Sequence, residues 1–124
     1  MQRGYIALLT ILIVMAAVLT IASTVAFLSI GEAQSGLSLF KGEQTLDFVE
    51  GCTEDAMIRA RNDSAYNGGD IIRPEGTCNV TINSKVANRW TMTTTTPNAL
   101  YKRTIQLVFD RLSTGISLIS WKEI

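Results

Sequence analysis

The sequence predicts an α+β fold. One long N-terminal helix is transmembrane in its first part and amphipathic in its second, and it packs on an antiparallel sheet of about four strands. Three observations carry this. Tyr5 to Ile30 runs for 26 residues without a charge. Val49, Cys52, Ala56 and Ala60 then recur at spacings of three and four, the period of a helix. From Cys78 onward the period changes to two, with Cys78, Val80 and Ile82 alternating with Asn79, Thr81 and Asn83.

The first element begins almost at the first residue. Met1-Gln2-Arg3-Gly4 is a short polar head with one positive charge, and the apolar run ends at Gly31-Glu32. A bilayer needs about 20 apolar residues as helix, so the run is long enough to span. A secretory leader has an apolar region of roughly 7–15 residues, followed by a small-x-small cleavage site. This run is far longer than that. Ala22-Ser23-Thr24 and Ala33-Gln34-Ser35 do fit such a site, so a conventional leader stays open. By position, the place for a short leader to be removed is before the apolar run, at Arg3-Gly4. As a plain anchor, Arg3 would hold the N-terminus inside and the body outside by the positive-inside rule.

The second element continues the first through residues 31–66. Phe48, Met57 and Ile58 flank the apolar stripe, and Glu50, Glu54, Asp55, Arg59 and Arg61 lie beside it. Asp55 and Arg59 are four residues apart, worth a few tenths of a kcal/mol, roughly 0.2–0.5. Gly36, Gly42 and Gly51 each cost about 1 kcal/mol in a helix interior. A loosening at 31–42 is therefore expected, with a firm helix from Thr45 to about Tyr66. Asn62-Asp63-Ser64 and Asn67-Gly68-Gly69-Asp70 are its stop signals.

Asn67 to Gly76 reads as a loop. The first strand starts at Cys78, and Ser84 to Asn88 reads as a turn. Arg89 to Thr96 is rich in Thr and aromatic residues, so strand-like. Pro97-Asn98 turns again. Leu100 to Leu112 is the longest strand, with Ile105, Leu107 and Phe109 inward. Ser113-Thr114-Gly115 precedes a last strand, Ile116 to Lys122, with Ile119 and Trp121 on one face. Short turns make neighbouring strands antiparallel. A greasy helix stripe and a greasy sheet face cannot both stay bare, so the helix lies on the sheet.

Cys52 and Cys78 both fall beyond the span, and an even count outside the membrane reads as one disulfide. It joins the helix stripe to the head of the first strand, closing a loop worth about 3.5 kcal/mol in the chain-entropy model.

The 124 residues carry 11 basic and 11 acidic side chains and no histidine. Zero net charge, with no basic run beyond Lys102-Arg103, points away from a nucleic-acid partner. Two cysteines without histidine do not make a closed zinc site. No metal or cofactor is expected. Nor is catalysis: the commonest general base is missing, and no Ser or Thr sits in a nucleophile elbow. Gly68-Gly69-Asp70 lacks the lysine of a phosphate cradle. Asn79-Val80-Thr81 and Asn62-Asp63-Ser64 match the glycosylation sequon, a match that arises often by chance. Thr93–Thr96 reads as a solvated strand edge, and Trp90 and Trp121 as core aromatics.

A short leader ending in Gly4, an apolar helix opening Tyr5-Ile6-Ala7-Leu8-Leu9-Thr10, an amphipathic continuation and an antiparallel sheet together resemble the type IV pilin family, including type II secretion pseudopilins. The start, the Cys52-Thr53-Glu54-Asp55-Ala56 segment and the closing Ser120-Trp121 are similar to short pilin-like proteins of candidate-phyla bacteria. The resemblance covers most of the chain by architecture and is sharp over only about ten residues. It implies processing by a prepilin peptidase between Gly4 and Tyr5, and N-methylation of Tyr5. It implies residues 1–4 as leader, 5–30 as transmembrane and filament-core helix, 31–66 as its amphipathic continuation and 67–124 as a small β domain. The partners it implies are other pilin subunits, through helix–helix packing, and inner-membrane lipid. Localisation would be the bacterial cytoplasmic membrane, single pass with the C-terminal domain outside, and an extracellular filament.

Two positions depart from the family pattern. The fifth mature residue is usually Glu, which neutralises a neighbour's buried amino terminus; here it is Leu9. A lone buried ammonium is costly, so Leu9 implies a minor subunit. Where the family often has a helix-melting proline, this chain has Ala26. Small residues Ala16, Ala17, Ala22, Ser23 and Ala26 permit close helix contacts. The alternative reading is an uncleaved, single-pass anchored surface binding module.

Overall fold

The structure, a computed structural model, describes residues 2–97 and 100–124. It comprises one helix and five strands: α1 (Gln2–Asn62), β1 (Gly68–Arg73), β2 (Gly76–Val86), β3 (Arg89–Thr95), β4 (Thr104–Leu112) and β5 (Gly115–Glu123). The strands form one antiparallel meander in the order β1-β2-β3-β4-β5. The fold is α+β, as expected, with one strand more than the sequence indicated. The chain divides into two units, residues 1–39 and 40–124, and the second holds the end of α1 together with the whole sheet.

Helical conformation is unbroken through Gly31, Gly36 and Gly42, so the expected loosening at 31–42 is absent from the backbone pattern. Each helical glycine costs about 1 kcal/mol, which long helical flanks override. The helix ends at Asn62, four residues before Tyr66. Asp63 is the reason: its Oδ1 accepts a hydrogen bond from the Ala65 amide at 2.8 Å, turning the chain out of the helix. The last carbonyls are capped from the sheet. Arg111 Nε donates to the Ala60 carbonyl at 3.0 Å, and Arg111 Nη2 to that of Arg61 at 3.3 Å.

The strand missed by sequence is β1. Its Gly-Gly-Asp opening and the following Pro74 read as punctuation, yet Pro74-Glu75 is a two-residue hairpin turn and Ile71 is buried at the edge of the core. Gly68 takes a positive φ of 84°, and a Cβ there would lie 2.3 Å from the Val80 carbonyl oxygen, so only glycine fits. β2 runs on to Val86 through the expected turn. β4 starts at Thr104, not Leu100, and the expected Pro97-Asn98 turn lies partly outside the described residues.

Two irregularities change the facing of residues. In β2 the register slips between Ile82 and Ser84. Lys85 therefore comes to the helix side, where Nζ lies 4.0 Å from the Trp90 ring centre and donates to the Tyr66 carbonyl at 2.5 Å. In β5 the slip opposite Val108 and Phe109 leaves Ile119 as the extra residue. Ile119 and Trp121 consequently do not share a packed face. Trp121 packs on the core together with Ile116, five residues away, and Ile119 is exposed.

The core lies between the 49–60 stretch of α1 and one sheet face. Val49, Cys52, Ala56 and Ala60 are fully buried, as the stripe predicted, and so are Cys78, Met92, Leu107 and Phe109. Ile105 and Val80 join them, and Trp90 stacks tilted on Phe109 at 5.8 Å. The disulfide joins Cys52 to Cys78 inside this core. β3 is the central strand, so the Thr93–Thr96 run is no edge: Thr94 and Thr96 are buried.

Candidate functional site

The first unit buries none of its described residues. Every described residue from 2 to 39 is exposed. Sixteen large apolar side chains between Tyr5 and Ile30 are 45–75 % exposed. Leaving each half-exposed in water forgoes roughly 1 kcal/mol. The total exceeds the whole stability of an ordinary small domain, about 5–15 kcal/mol. This surface requires a cover.

Its backbone and hydroxyls are ready for a dry one. Residues 5–30 extend about 39 Å as helix at 1.5 Å per residue, enough for a hydrocarbon core of about 30 Å. Helix bonding satisfies the backbone. The five Ser and Thr hydroxyls of this stretch each donate to a carbonyl about one turn back. Thr10 reaches Ala7 at 2.8 Å, Thr20 reaches Ala17 at 2.7 Å, and Ser23 reaches Thr20 at 2.9 Å. Thr24 reaches Thr20 at 2.8 Å and Ser29 reaches Val25 at 2.9 Å. None of these five O–H groups needs water, which is the condition for residing in lipid or in a helix bundle. The helix is long and apolar enough to cross a membrane, by length and composition.

The sequence-predicted site residues all lie on this helix or in the core. Gly4 is helical and open, with nothing near an added Cβ, and Tyr5 beside it is 67 % exposed. Leu9 is exposed on the same helix. At about 100° per residue, Ala16, Ala22, Ser23 and Ala26 fall within an arc of about 120°, while Ala17 lies on the far side. The small residues thus make one flattened face with Ala17 outside it. Gly31 and Gly36, within the stretch expected to loosen, leave bare backbone in a shallow groove walled by Thr24, Phe27, Leu28 and Leu39. Sequence reasoning missed this groove. Its signal was the spacing of three and four from Leu28 and Phe27 to Gly31, and of three from Gly36 to Leu39.

The remaining candidates are structural. Asp55 pairs with Arg59 at 3.5 Å, one helical turn on. Asp70 accepts from Asn79 Nδ2 at 2.8 Å, so the Asn of the second sequon is tied to β1. Among the described residues, no three His, Cys, Asp or Glu side chains gather as metal ligands. Arg89 grips Asp110 through two hydrogen bonds, of 2.9 and 3.1 Å, and these hold the Asp110 carboxyl below its ordinary pKa.

Compared with protein-family models, curated proteins and solved structures, the chain matches none. What stands is the shape: a long apolar N-terminal helix running into an antiparallel sheet stapled by a disulfide, a layout compatible with a pilin-like fold.

Proposed function

We propose that this chain is a structural subunit of a type IV pilus-like or type II secretion-like filament, and a minor one. A membrane-inserted precursor is cut between Gly4 and Tyr5 by a prepilin peptidase, and the new amino terminus is methylated. The subunit then exchanges lipid for the apolar helices of neighbouring subunits, with the sheet outward. The observation that carries the reading is the exposed, charge-free helix of residues 5–30, whose Ser and Thr hydroxyls all donate to its own carbonyls. Such a surface suits lipid and a helix bundle alike. Transfer between them is decided by packing, because lipid is as apolar as the helix. The flattened face at Ala16, Ala22, Ser23 and Ala26 and the groove at Gly31 and Gly36 provide close approach.

Leu9 assigns the minor role. A subunit without a carboxylate there gives a neighbour's buried ammonium no partner, and a place at a filament tip does not require one. The role is structural and not catalytic, in keeping with a chain that has no histidine.

The test is Gly4→Leu, made in cells that carry a prepilin peptidase. The wild-type chain is expected to lose residues 1–4 and the variant to accumulate uncut in the membrane. If both chains kept residues 1–4, their masses differing only by the substitution itself, the reading would be overturned and an anchored surface module left.

A further inference from the structure

The connection from α1 to β1 carries a reactive pair that the filament reading does not use. Of the chain's asparagines, Asn67 alone is followed by glycine. A side chain on the following residue screens its backbone nitrogen from the asparagine carboxamide, and Gly68 has none. Asn67 lies outside helix and strand, between the end of α1 and the start of β1, and it is exposed. Among the described residues its side-chain amide makes no hydrogen bond. The other described asparagines are placed differently. Asn79 Nδ2 donates to Asp70 Oδ1 at 2.8 Å and Asn83 Nδ2 to Thr93 Oγ1 at 2.5 Å, both from within β2. Asn62 is followed by Asp63 and Asn88 by Arg89, whose side chains stand in the way.

The fold itself demands the glycine. A Cβ at 68 would collide with the Val80 carbonyl oxygen, and φ there is 84°. A bare backbone nitrogen next to Asn67 is therefore fixed by the packing of β1 on β2. β1 is also the outermost strand, so one side of its backbone faces no neighbouring strand. A cation stands close by. Lys85 Nζ donates at 2.5 Å to the Tyr66 carbonyl, which belongs to the peptide joining Tyr66 to Asn67.

We propose that Asn67 is a site of spontaneous modification, where the folded chain converts asparagine to isoaspartate. The Gly68 backbone nitrogen gives up its proton and attacks Asn67 Cγ. The new N–Cγ bond closes a five-membered ring, and the side-chain nitrogen takes up a proton and leaves as ammonia. Water then attacks the main-chain carbonyl carbon of residue 67 and breaks its bond to the Gly68 nitrogen. The chain now runs through the former side chain, and the old main-chain carbonyl is a free carboxylate. Water in and ammonia out balance the change. Negative charge develops in both steps and stays in the product, and the Lys85 ammonium lowers its cost. The product backbone is one carbon longer, so Gly68 loses its place opposite Thr81 and the start of β1 loosens from β2. The inference does not depend on the filament reading, since the pair lies wholly within residues 40–124.

The test uses the full chain in zwitterionic micelles, held at neutral and at mildly alkaline pH. Samples are followed by peptide mapping, with fragmentation that separates isoaspartate from aspartate. A synthetic peptide of residues 62–73 serves as the unfolded reference. Asn67 is expected to convert before any other asparagine, faster at the higher pH, and mainly to isoaspartate. Its rate in the folded chain should stay within about tenfold of the peptide's, because an exposed connection opens at little cost. Asn67→Gln should stop the conversion, since the longer side chain closes a less favourable ring. Lys85→Met should slow it about two- to fivefold in the folded chain, the range for an exposed charge pair. The proposal is overturned if Asn67 survives in the folded chain while the peptide converts, if another asparagine converts first, or if aspartate alone is formed. A Lys85→Met rate equal to the wild type's would overturn the part given to Lys85.

Discussion

Residues 2–39 and residues 40–124 solve opposite problems. The second stretch buries its apolar residues against itself: Val49, Cys52, Leu107 and Phe109 are fully enclosed. The first buries nothing, and its largest side chains face outward on all sides of one helix. The lesson is that stability and function are divided along the chain. The disulfide-stapled sheet unit is complete within itself. The apolar helix is left exposed along its whole described length, and the cover we propose for it is lipid or other helices.

That division can be broken from either side. The largest effect is expected from Phe109→Ala, which opens a cavity in the closed unit. It should cost about 3–5 kcal/mol in denaturant unfolding followed by near-UV signal. Membrane partitioning should not change, because residues 2–39 do not use that core. Next comes the double change Cys52→Ser with Cys78→Ser, at about 3.5 kcal/mol in the same assay, with partitioning again unaltered.

Val18→Arg attacks the other region. Val18 sits midway along the apolar run and is 58 % exposed, and an arginine there should reduce membrane insertion by about 2.5–3.5 kcal/mol. The stability of the sheet unit should not move. The control is Ile72→Lys, at a still more open apolar position on β1, 82 % exposed. It should alter neither property by more than about 0.5 kcal/mol. If Val18→Arg proved as harmless as Ile72→Lys, the two regions would not differ as claimed.

Smaller effects sharpen how the sheet holds the end of α1. Arg111→Met removes both hydrogen bonds to the Ala60 and Arg61 carbonyls. The site is partly exposed, so a loss of about 1 kcal/mol is expected. The weakest is the Arg89–Asp110 pair. Hydrogen bonding to Arg89 holds the Asp110 carboxyl below its ordinary value. A carboxyl lowered on folding adds stability above its unfolded pKa, about 3.9, and loses it as pH falls through the lower folded value. Asp110→Asn should therefore flatten the acid limb of the stability profile slightly and leave neutral pH almost untouched, since the pair is solvent-screened.

What the chain announced and what it hid divide for physical reasons. The alternations at Cys78–Ile82 and Ile105–Phe109 were legible because each strand is wet on one side. The stripe at Val49, Cys52, Ala56 and Ala60 was legible because a helix buries one face. Strand β1 was hidden because Gly68 and Pro74 are punctuation that here belongs to the sheet. The facing of Lys85, Ile119 and Trp121 was hidden because each bulge inverts the parity on which a period-two reading rests. Thr94 and Thr96 were misplaced because strand order, not composition, puts β3 in the middle. The cleft between α1 and the hairpin was out of reach, since Phe48 comes against Gly76 and Arg73 against Gly51 only through the packing of α1 on the hairpin. The apolar helix was plain from its first residues; which cover it takes is a matter of processing and assembly, and composition does not distinguish lipid from helix.

The most direct test is therefore made on the protein's own cells. The surface fraction is sheared off, and the amino terminus of this chain in that fraction is read by mass spectrometry. A start at Tyr5, methylated, is the result predicted for a processed filament subunit. A start at Met1, found only in membranes and never in the sheared fraction, would contradict the account and leave an anchored surface domain.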